Sequence, residues 1–381
     1  MLARNCLVIT FFIAIALPSF SQVSIIPEPV SLQQKEGVYN LKTQIVIEEG
    51  STNLAVKKIA DGLKEKLSVT GLPVSIASSA EKADIHFALN KTANNTIGKE
   101  GYQLTVSANN GVTITANEPA GLFYGVQTLL QLLPPAIESK SVIKNISWSV
   151  PLVDITDYPR FGWRGLMFDI SRHFFNKEQV KQYIDAMVKY KYNLLHLTLA
   201  NDEGWRVEIK ALPKLTSVGA WNVKRVGTFG NFVPPTDDEP RDYGGFLSQN
   251  DIKELVQYAK DRFINILPEI DVPGHSLAAI ASYPELSCTS GADKYRVRSG
   301  EKIMEWPANG HFYALVDNTM CPANEKVYTF LDKVFTEVAQ LFPFEYIHVG
   351  GDECAKNFWE KNPQVLELMK KENLKTMDEV Q

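Results

Sequence analysis

"YIHVGGDEC", residues 346–354, sets a short apolar run against two glycines, two acids and a cysteine. Along a strand, neighbouring side chains point to opposite faces. Asp352 and Glu353 can therefore share one task only if the strand has ended and the chain has turned. Gly350 and Gly351 permit that turn, because glycine reaches backbone angles that other residues avoid. The same order, apolar run and then acids, occurs three times earlier. "RGLMFDI" (164–170) carries Asp169. "NLLHLTLA" (193–200) is followed by Asp202 and Glu203. "INILPEI" (264–270) carries Glu269 just ahead of Asp271.

Helical patterns separate these runs. In 176–191, Val180, Tyr183, Ile184, Met187 and Val188 share one face, with Asn176 placed as a cap. Residues 248–263 open with Ser248 and Asp251, three apart, as in a capping box. A third helix is expected over 324–342. Strand–helix alternation means parallel strands joined by crossover helices. An α/β barrel builds its active site at the C-terminal edge of its strands, where these acids fall. A doubly wound sheet binds at the same edge. No glycine-rich phosphate loop follows the first strand, which disfavours nucleotide binding. The expected fold is thus α/β, a (β/α)8 TIM barrel. Only the first four strand–helix units are expected here, and 362–381 reads as a further helix. Half a barrel would leave strand edges and apolar surface uncovered.

A smaller α+β unit precedes this series. "TQIVIEE" (43–49) and "LPVSIAS" (72–78) alternate as strands do, and 53–67 and 120–133 read as helices. Residues 101–118 read as a hairpin turning at Asn-Asn-Gly. The expected division is 22–150 and 151–381, within 148–161, where prolines and aspartates interrupt the periodicity. Ahead of both, residues 1–21 have the layout of a secretory signal: Arg4, an apolar run, then Ser19 and Ser21. The apolar run is too short for a spanning helix. Export to the periplasm or the extracellular space is the expectation. With the leader removed, Cys288, Cys321 and Cys354 remain. Cys288 and Cys321 are a candidate disulfide pair that spacing alone does not decide.

Hydrophobic residues make up 45% of the chain and charged residues 22%, ordinary for a globular protein. A net charge of −5 with no basic run argues against a nucleic-acid partner bound by phosphate neutralisation. No sequence feature assigns an oligomeric state. Several acids at one mouth, without metal-ligand spacing, suit glycoside cleavage. The usual retaining route sets two carboxyls ~5–5.5 Å apart across the sugar. Adjacent residues are poorly placed for that. A substrate whose own 2-acetamido oxygen attacks the anomeric carbon removes the requirement: one acid protonates the leaving group and its neighbour holds the acetamido group.

"HVGGDE" resembles the catalytic signature of the family 20 glycoside hydrolases, the β-N-acetylhexosaminidases. "YPRFGWRGLMFDISRHFF" (158–175), "WRVEIKALPKLT" (205–216) and "ILPEIDVPGHSLAAIASYPEL" (266–286) resemble other blocks of that family, in its order. "IIPEPVSL" (25–32) and "GLFYGVQTLLQLLP" (121–134) resemble its N-terminal accessory domain. The resemblance implies an exo-acting, retaining enzyme on N-acetylhexosamine-containing glycans, with no metal or organic cofactor. By position it makes Glu353 the acid/base and Asp352 the residue that orients the acetamido group. It makes His275 the support of the acid/base, with Asp271 in the same block, and Arg164 the grip on the sugar 3- and 4-hydroxyls.

The chain departs from the family's "HWHLTDDQGWR", having "HLTLANDEGWR" (196–206) instead. Thr198 replaces a histidine. Asn201 replaces the aspartate that, by the resemblance, supports the histidine behind the acid/base. The expectation is a weakened proton relay, or a role taken over by Asp202. The alternatives carried from sequence are a non-catalytic glycan-binding homologue and an inactive truncated fragment.

Overall fold

The computed structural model describes residues 23–79, 82–228, 230–306 and 312–381. The expected leader, 1–21, lies outside them. The hairpin read at Asn-Asn-Gly forms between β5 (Tyr102–Ser107) and β6 (Gly111–Ala116), with Val112 opposite Val106. Around it lies a seven-stranded mixed sheet. It adds β1 (Ser31–Asn40), β2 (Ile45–Glu48), β3 (Val74–Ala77), β4 (Ile85–Leu89) and β7 (Ser149–Asp157). The order is β1-β7-β5-β6-β4-β2-β3. Helices α1 (Leu54–Leu67) and α2 (Pro119–Leu132) bury Val56, Ile59, Leu63, Leu122 and Leu129 against Ile45, Ile47, Leu104 and Ile114.

The expected boundary at 150 needs correction. Residues 149–157 form β7, which pairs with β1 and β5, so the first sheet ends only after Asp157. Pro151 is tolerated because its partner strand, β1, is irregular between Gln34 and Val38.

The second unit begins with β8 (Gly165–Asp169), then α3 (Lys177–Lys189), β9 (Leu194–Asn201), α4 (Gln249–Lys260), β10 (Asn265–Ile270) and α5 (Glu325–Leu341). Strands β8, β9 and β10 are parallel, and Asp169, Thr198 and Glu269 lie level across them. The capping boxes form at Asn176–Gln179 and at Ser248–Asp251. Helical faces bearing Ile184, Leu255, Val334 and Val338 close on Leu195, Leu197 and Ile266. The expected fourth strand, 346–350, is only partly made. It runs beside β10 through His348 N–H to Pro268 O (2.9 Å) and Ile270 N–H to His348 O (3.0 Å). Its pairing is one isolated bridge, Glu269 with His348. Its other side meets no strand among the described residues, and the sheet is not closed. Trp163, Met167, Tyr346 and Val349 are exposed. Residues 363–372 form α6.

Cys288 and Cys321 are bonded, and Cys354 is a free, buried thiol in the same small apolar cluster. The bond closes a loop of sequence separation 33. By chain entropy such a closure stabilises by about 3–4 kcal/mol. Cys288→Ser is therefore expected to lower unfolding free energy by that order, and a denaturant midpoint equal to wild type's would contradict it.

Candidate active site

The acids at the strand ends meet where β10 and the 346–350 segment finish. Beyond β10 the chain passes Asp271, a cis Val272–Pro273 bond and Gly274 to His275, whose φ is 48°. Beyond His348 it turns through Gly350 (φ 65°), Gly351 (φ 98°) and Glu353 (φ 45°). His275 and Glu353 thus both hold the left-handed backbone that side chains disfavour. Such strain persists only where surrounding contacts impose it, and it clusters at functional sites. Asp271 imposes part of it here: its Oδ1 accepts the Gly351 N–H at 3.2 Å.

His275 is the hub. Its Nδ1 lies 3.1 Å from Asp202 Oδ2, and its Nε2 lies 3.4 Å from Glu353 Oε2 and 3.9 Å from Asp352 Oδ2. Asp202 is fully buried and also accepts from Leu277 N–H (3.0 Å) and Asn318 Nδ2 (3.1 Å). Burial acts to raise the Asp202 carboxyl. The hydrogen bond and charge of His275, with the Leu277 N–H and Arg298, outweigh it and hold the group below its usual range. Burial likewise acts to lower His275, but Asp202 and then Asp271 lift it to about 9. A cationic imidazole therefore faces Glu353 at neutral pH. Asp271 is pushed up to about 7, mainly by burial and, against His275, by the Asp352 charge.

His275 is raised above its unfolded value of about 6.5. The stabilisation it draws from Asp202 is therefore complete below pH ~6.5 and lost as pH rises through about 9. The stability gap between wild type and His275→Gln is expected to shrink across that window in thermal melts. A gap independent of pH would contradict the pairing.

Asp202, not residue 201, is thus the carboxylate on the imidazole, the second of the two arrangements expected from Asn201. Asn201 instead donates from Nδ2 to Asp271 Oδ2 (3.2 Å) and accepts the Asp202 N–H (2.9 Å). The Thr198 hydroxyl, in a histidine's place, donates to Glu269 Oε2 at 2.9 Å.

Arg164 is not brought to this cluster. It precedes β8 and sits at the opposite, N-terminal end of the sheet. There its guanidinium donates to Glu100 Oε2 (2.9 Å), Lys191 O (2.8 Å) and Phe161 O (2.8 Å). It ties the two units together. The arginine at the mouth is Arg172, three residues beyond the strand-end Asp169. Asp169 accepts the Arg172 backbone N–H at 3.0 Å and its Nη1 at 2.9 Å. Strand direction alone separates the two arginines, because a residue before a parallel strand lies at the edge away from the site. Asn318 carried no signal in the sequence.

Among the described residues, two groups bring ligand-type atoms within 4.8 Å of one another: His196, Glu269 and His348, and Asp271, His275 and Asp352. Some of these atoms have partners within the protein, while His196 Nε2 and His275 Nε2 are buried without an aligned hydrogen bond. Glu269 Oε2 is 2.5 Å from His196 Nε2, and His348 Nδ1 accepts the Gly350 N–H at 3.1 Å.

Parallel strands gather carboxylates and an imidazole at their C-terminal edge, where α/β barrels build their active sites. The sequence comparisons give the family. The pattern described as "Glycosyl hydrolase family 20, catalytic domain" matches residues 161–381, and "Glycosyl hydrolase family 20, domain 2" matches 22–158. The chain belongs to glycosyl hydrolase family 20. It is 34% identical over 370 residues to a beta-hexosaminidase of Porphyromonas gingivalis, covering 96% of this chain and 44% of that one. It is 34% identical over 363 residues to a beta-hexosaminidase of Vibrio furnissii, covering 94% and 53%. Among solved structures it resembles the N-acetyl-beta-hexosaminidase of Streptomyces plicatus in complex with Thio-NAglucal. The TM-score is 0.73 at 36% identity, over 91% of this chain and 62% of that one. It also resembles the family 20 exo beta-N-acetylglucosaminidase of Vibrio harveyi in complex with N-acetylglucosamine. There the TM-score is 0.75 at 32% identity, over 93% and 51%. The chain spans about half the length of these curated relatives. The fold is α/β and TIM-barrel-like, preceded by a smaller domain.

Proposed function

We propose that this chain carries the acid/base machinery of an exo-acting β-N-acetylhexosaminidase. The enzyme removes terminal N-acetylglucosamine or N-acetylgalactosamine with retention, through an oxazolinium intermediate. The observation that carries the proposal is that Asp352 and Glu353, adjacent in sequence, both face one imidazole nitrogen, at 3.9 and 3.4 Å. Carboxylates so placed do not flank a sugar ring from opposite faces, as the two-carboxylate route requires. The nucleophile must then come from the substrate. Glu353 protonates the leaving oxygen and later takes a proton from water. His275, held by Asp202, supports Glu353 as its charge changes. Asp352 orients the acetamido nitrogen and stabilises the positive ring. Arg172 takes the role expected of Arg164 and offers its planar fork of donors to the sugar hydroxyls.

The described strands are the first four of the barrel in this reading, and the activity belongs to a protein in which the barrel is closed. Closure would cover Met167, Tyr346 and Val349. Residues 23–157 serve as the accessory domain, and the catalytic domain begins near 161. The protein is exported, to the periplasm or beyond the cell, by the leader at 1–21. A mature N-terminus read from secreted protein would start near Gln22; a retained Met1 would remove the export reading.

The mechanism is tested on the full-length protein with an aryl N-acetyl-β-glucosaminide and the matching glucoside without the acetamido group. Turnover is expected on the first, at least about 10³-fold faster than on the second, given the effective molarity of an intramolecular nucleophile. Equal rates would sink substrate assistance. Binding of the sugar without turnover would favour a non-catalytic glycan-binding protein. That reading rested on Asn201, and Asp202 already fills the position it called into question.

A further inference from the structure

Glu203 has no task in the mechanism above, yet it is buried in the wall of the same mouth. Its side chain is 2% exposed. Oε1 lies 2.9 Å from Arg298 Nη1, and Oε2 lies 3.9 Å from Arg172 Nε. Arg172 is thereby set between two acids, with Asp169 Oδ2 on its Nη1 at 2.9 Å. Arg298 belongs to the loop after β10 and is itself anchored, by Nε to Glu301 O (2.8 Å) and by its N–H to Asp202 O (3.1 Å). One carboxylate therefore links the turns that follow β8, β9 and β10.

We propose that Glu203 is a positioning residue for substrate binding: it holds Arg172 from the side opposite Asp169, braced on Arg298, and so fixes the guanidinium that meets the sugar hydroxyls. This rests on the role given to Arg172 under the proposed function. The charge is what matters, and burial works against it: burial and the Asp202 charge push the Glu203 carboxyl up to about 7 against the pull of Arg298 and Arg172, so the comparison below is made at pH 8. The pattern "HWHLTDDQGWR" has glutamine at this position, and this chain has an acid. Neither carboxylate oxygen accepts a well-aligned hydrogen bond, so its hold on the two arginines is chiefly that of opposite charge in a buried setting. An amide would remove the anion that Arg172 Nε and Arg298 Nη1 both approach. The backbone there is fixed independently, because Glu203 O accepts from Arg206 Nη2 (3.1 Å) and Asn222 Nδ2 (3.0 Å). Glu203→Gln should for that reason fold.

The experiment compares wild-type and E203Q full-length protein on 4-nitrophenyl N-acetyl-β-glucosaminide and on its 3-deoxy and 4-deoxy analogues. On the parent substrate, KM is expected to rise roughly tenfold while kcat changes less than about threefold, the signature of lost uniform binding. On at least one deoxy analogue the rise should fall below about twofold, because the hydroxyl that Arg172 serves is already gone. A merely structural role would raise KM equally on all three substrates, and that result overturns the proposal. So does a fall in kcat with KM unchanged. If E203Q does not fold, Glu203→Asp is measured in its place. It keeps the charge at a shorter reach, and it should show a smaller KM rise with the same dependence on the hydroxyl. A wild type that turns over no N-acetylhexosaminide would overturn the functional reading, and this proposal with it. Turnover with equal losses overturns this proposal alone.

Discussion

Glu353→Gln is expected to lower kcat by about 10²–10⁴-fold on an N-acetylhexosaminide whose leaving group is another sugar, the range for losing a positioned general acid. On an aryl glycoside with a strongly acidic phenol the loss in the first step should be far smaller, because such a leaving group departs without a proton. The amide keeps the size of the side chain and its place near His275 Nε2, now 3.4 Å from Glu353 Oε2. The fold should survive, and thermal melts check that it does. Asp352→Asn should behave differently. That carboxylate stabilises the ring charge rather than protonating the leaving oxygen, so its loss should be of similar size for good and poor leaving groups. The discriminating measurement is kcat/KM, which reports the first step, across a series of aryl leaving groups in both variants. Equal leaving-group sensitivity in the two would contradict the division of labour between neighbours.

How much of this was legible beforehand depends on what each residue does locally. The three strands that form fully, β8, β9 and β10, are apolar runs, and the acids at their ends sit at one edge because parallel strands put every C-terminus on one side. Caps at Asn176 and Ser248 are local hydrogen-bond patterns, and they formed as read. β1 left no trace, because nearly all its residues are exposed and no alternation results. Pro151 and its aspartates give β7 the composition of a boundary, although its apolar residues alternate. The fourth strand is legible as a sequence pattern and incomplete as a structure, since strand pairing needs neighbours that lie far away in the chain. The site was legible as a set of acids and one histidine. Which acid serves which partner was not, because Asn201 and Asp202 differ by one position and a β-strand sends neighbours to opposite sides. Arg164 and Arg172 are separated in the same way: two arginines flank one strand, and only its direction says which reaches the mouth.

Gly350→Ala should be the most damaging single methyl group in the site. At φ 65° an added Cβ overlaps the carboxylate of Asp271, and the backbone angle itself disfavours any side chain. The angle alone costs about 1–2 kcal/mol. The overlap adds to that, because Asp271 has little freedom to withdraw: its Oδ1 holds the Gly351 N–H and its Oδ2 accepts from Asn201. The remaining relief is for the turn to move, carrying Asp352 and Glu353 away from His275. A displacement of about 1 Å at a reacting group costs on the order of 10²-fold in rate. The expected outcome is at least that loss in kcat/KM, together with a fall in stability. Gly351→Ala separates the two causes. Its φ is 98°, but among the described residues the only atom within 4 Å of an added Cβ is Gln381 Nε2 at 3.9 Å. It should lose stability by backbone strain while retaining more activity. Gly162→Ala, with nothing within 4 Å among the described residues and no left-handed angle, should match wild type. If Gly350→Ala and Gly351→Ala lose activity equally, strain in the turn accounts for both, and the close approach of Asp271 has no special part in placing the acids.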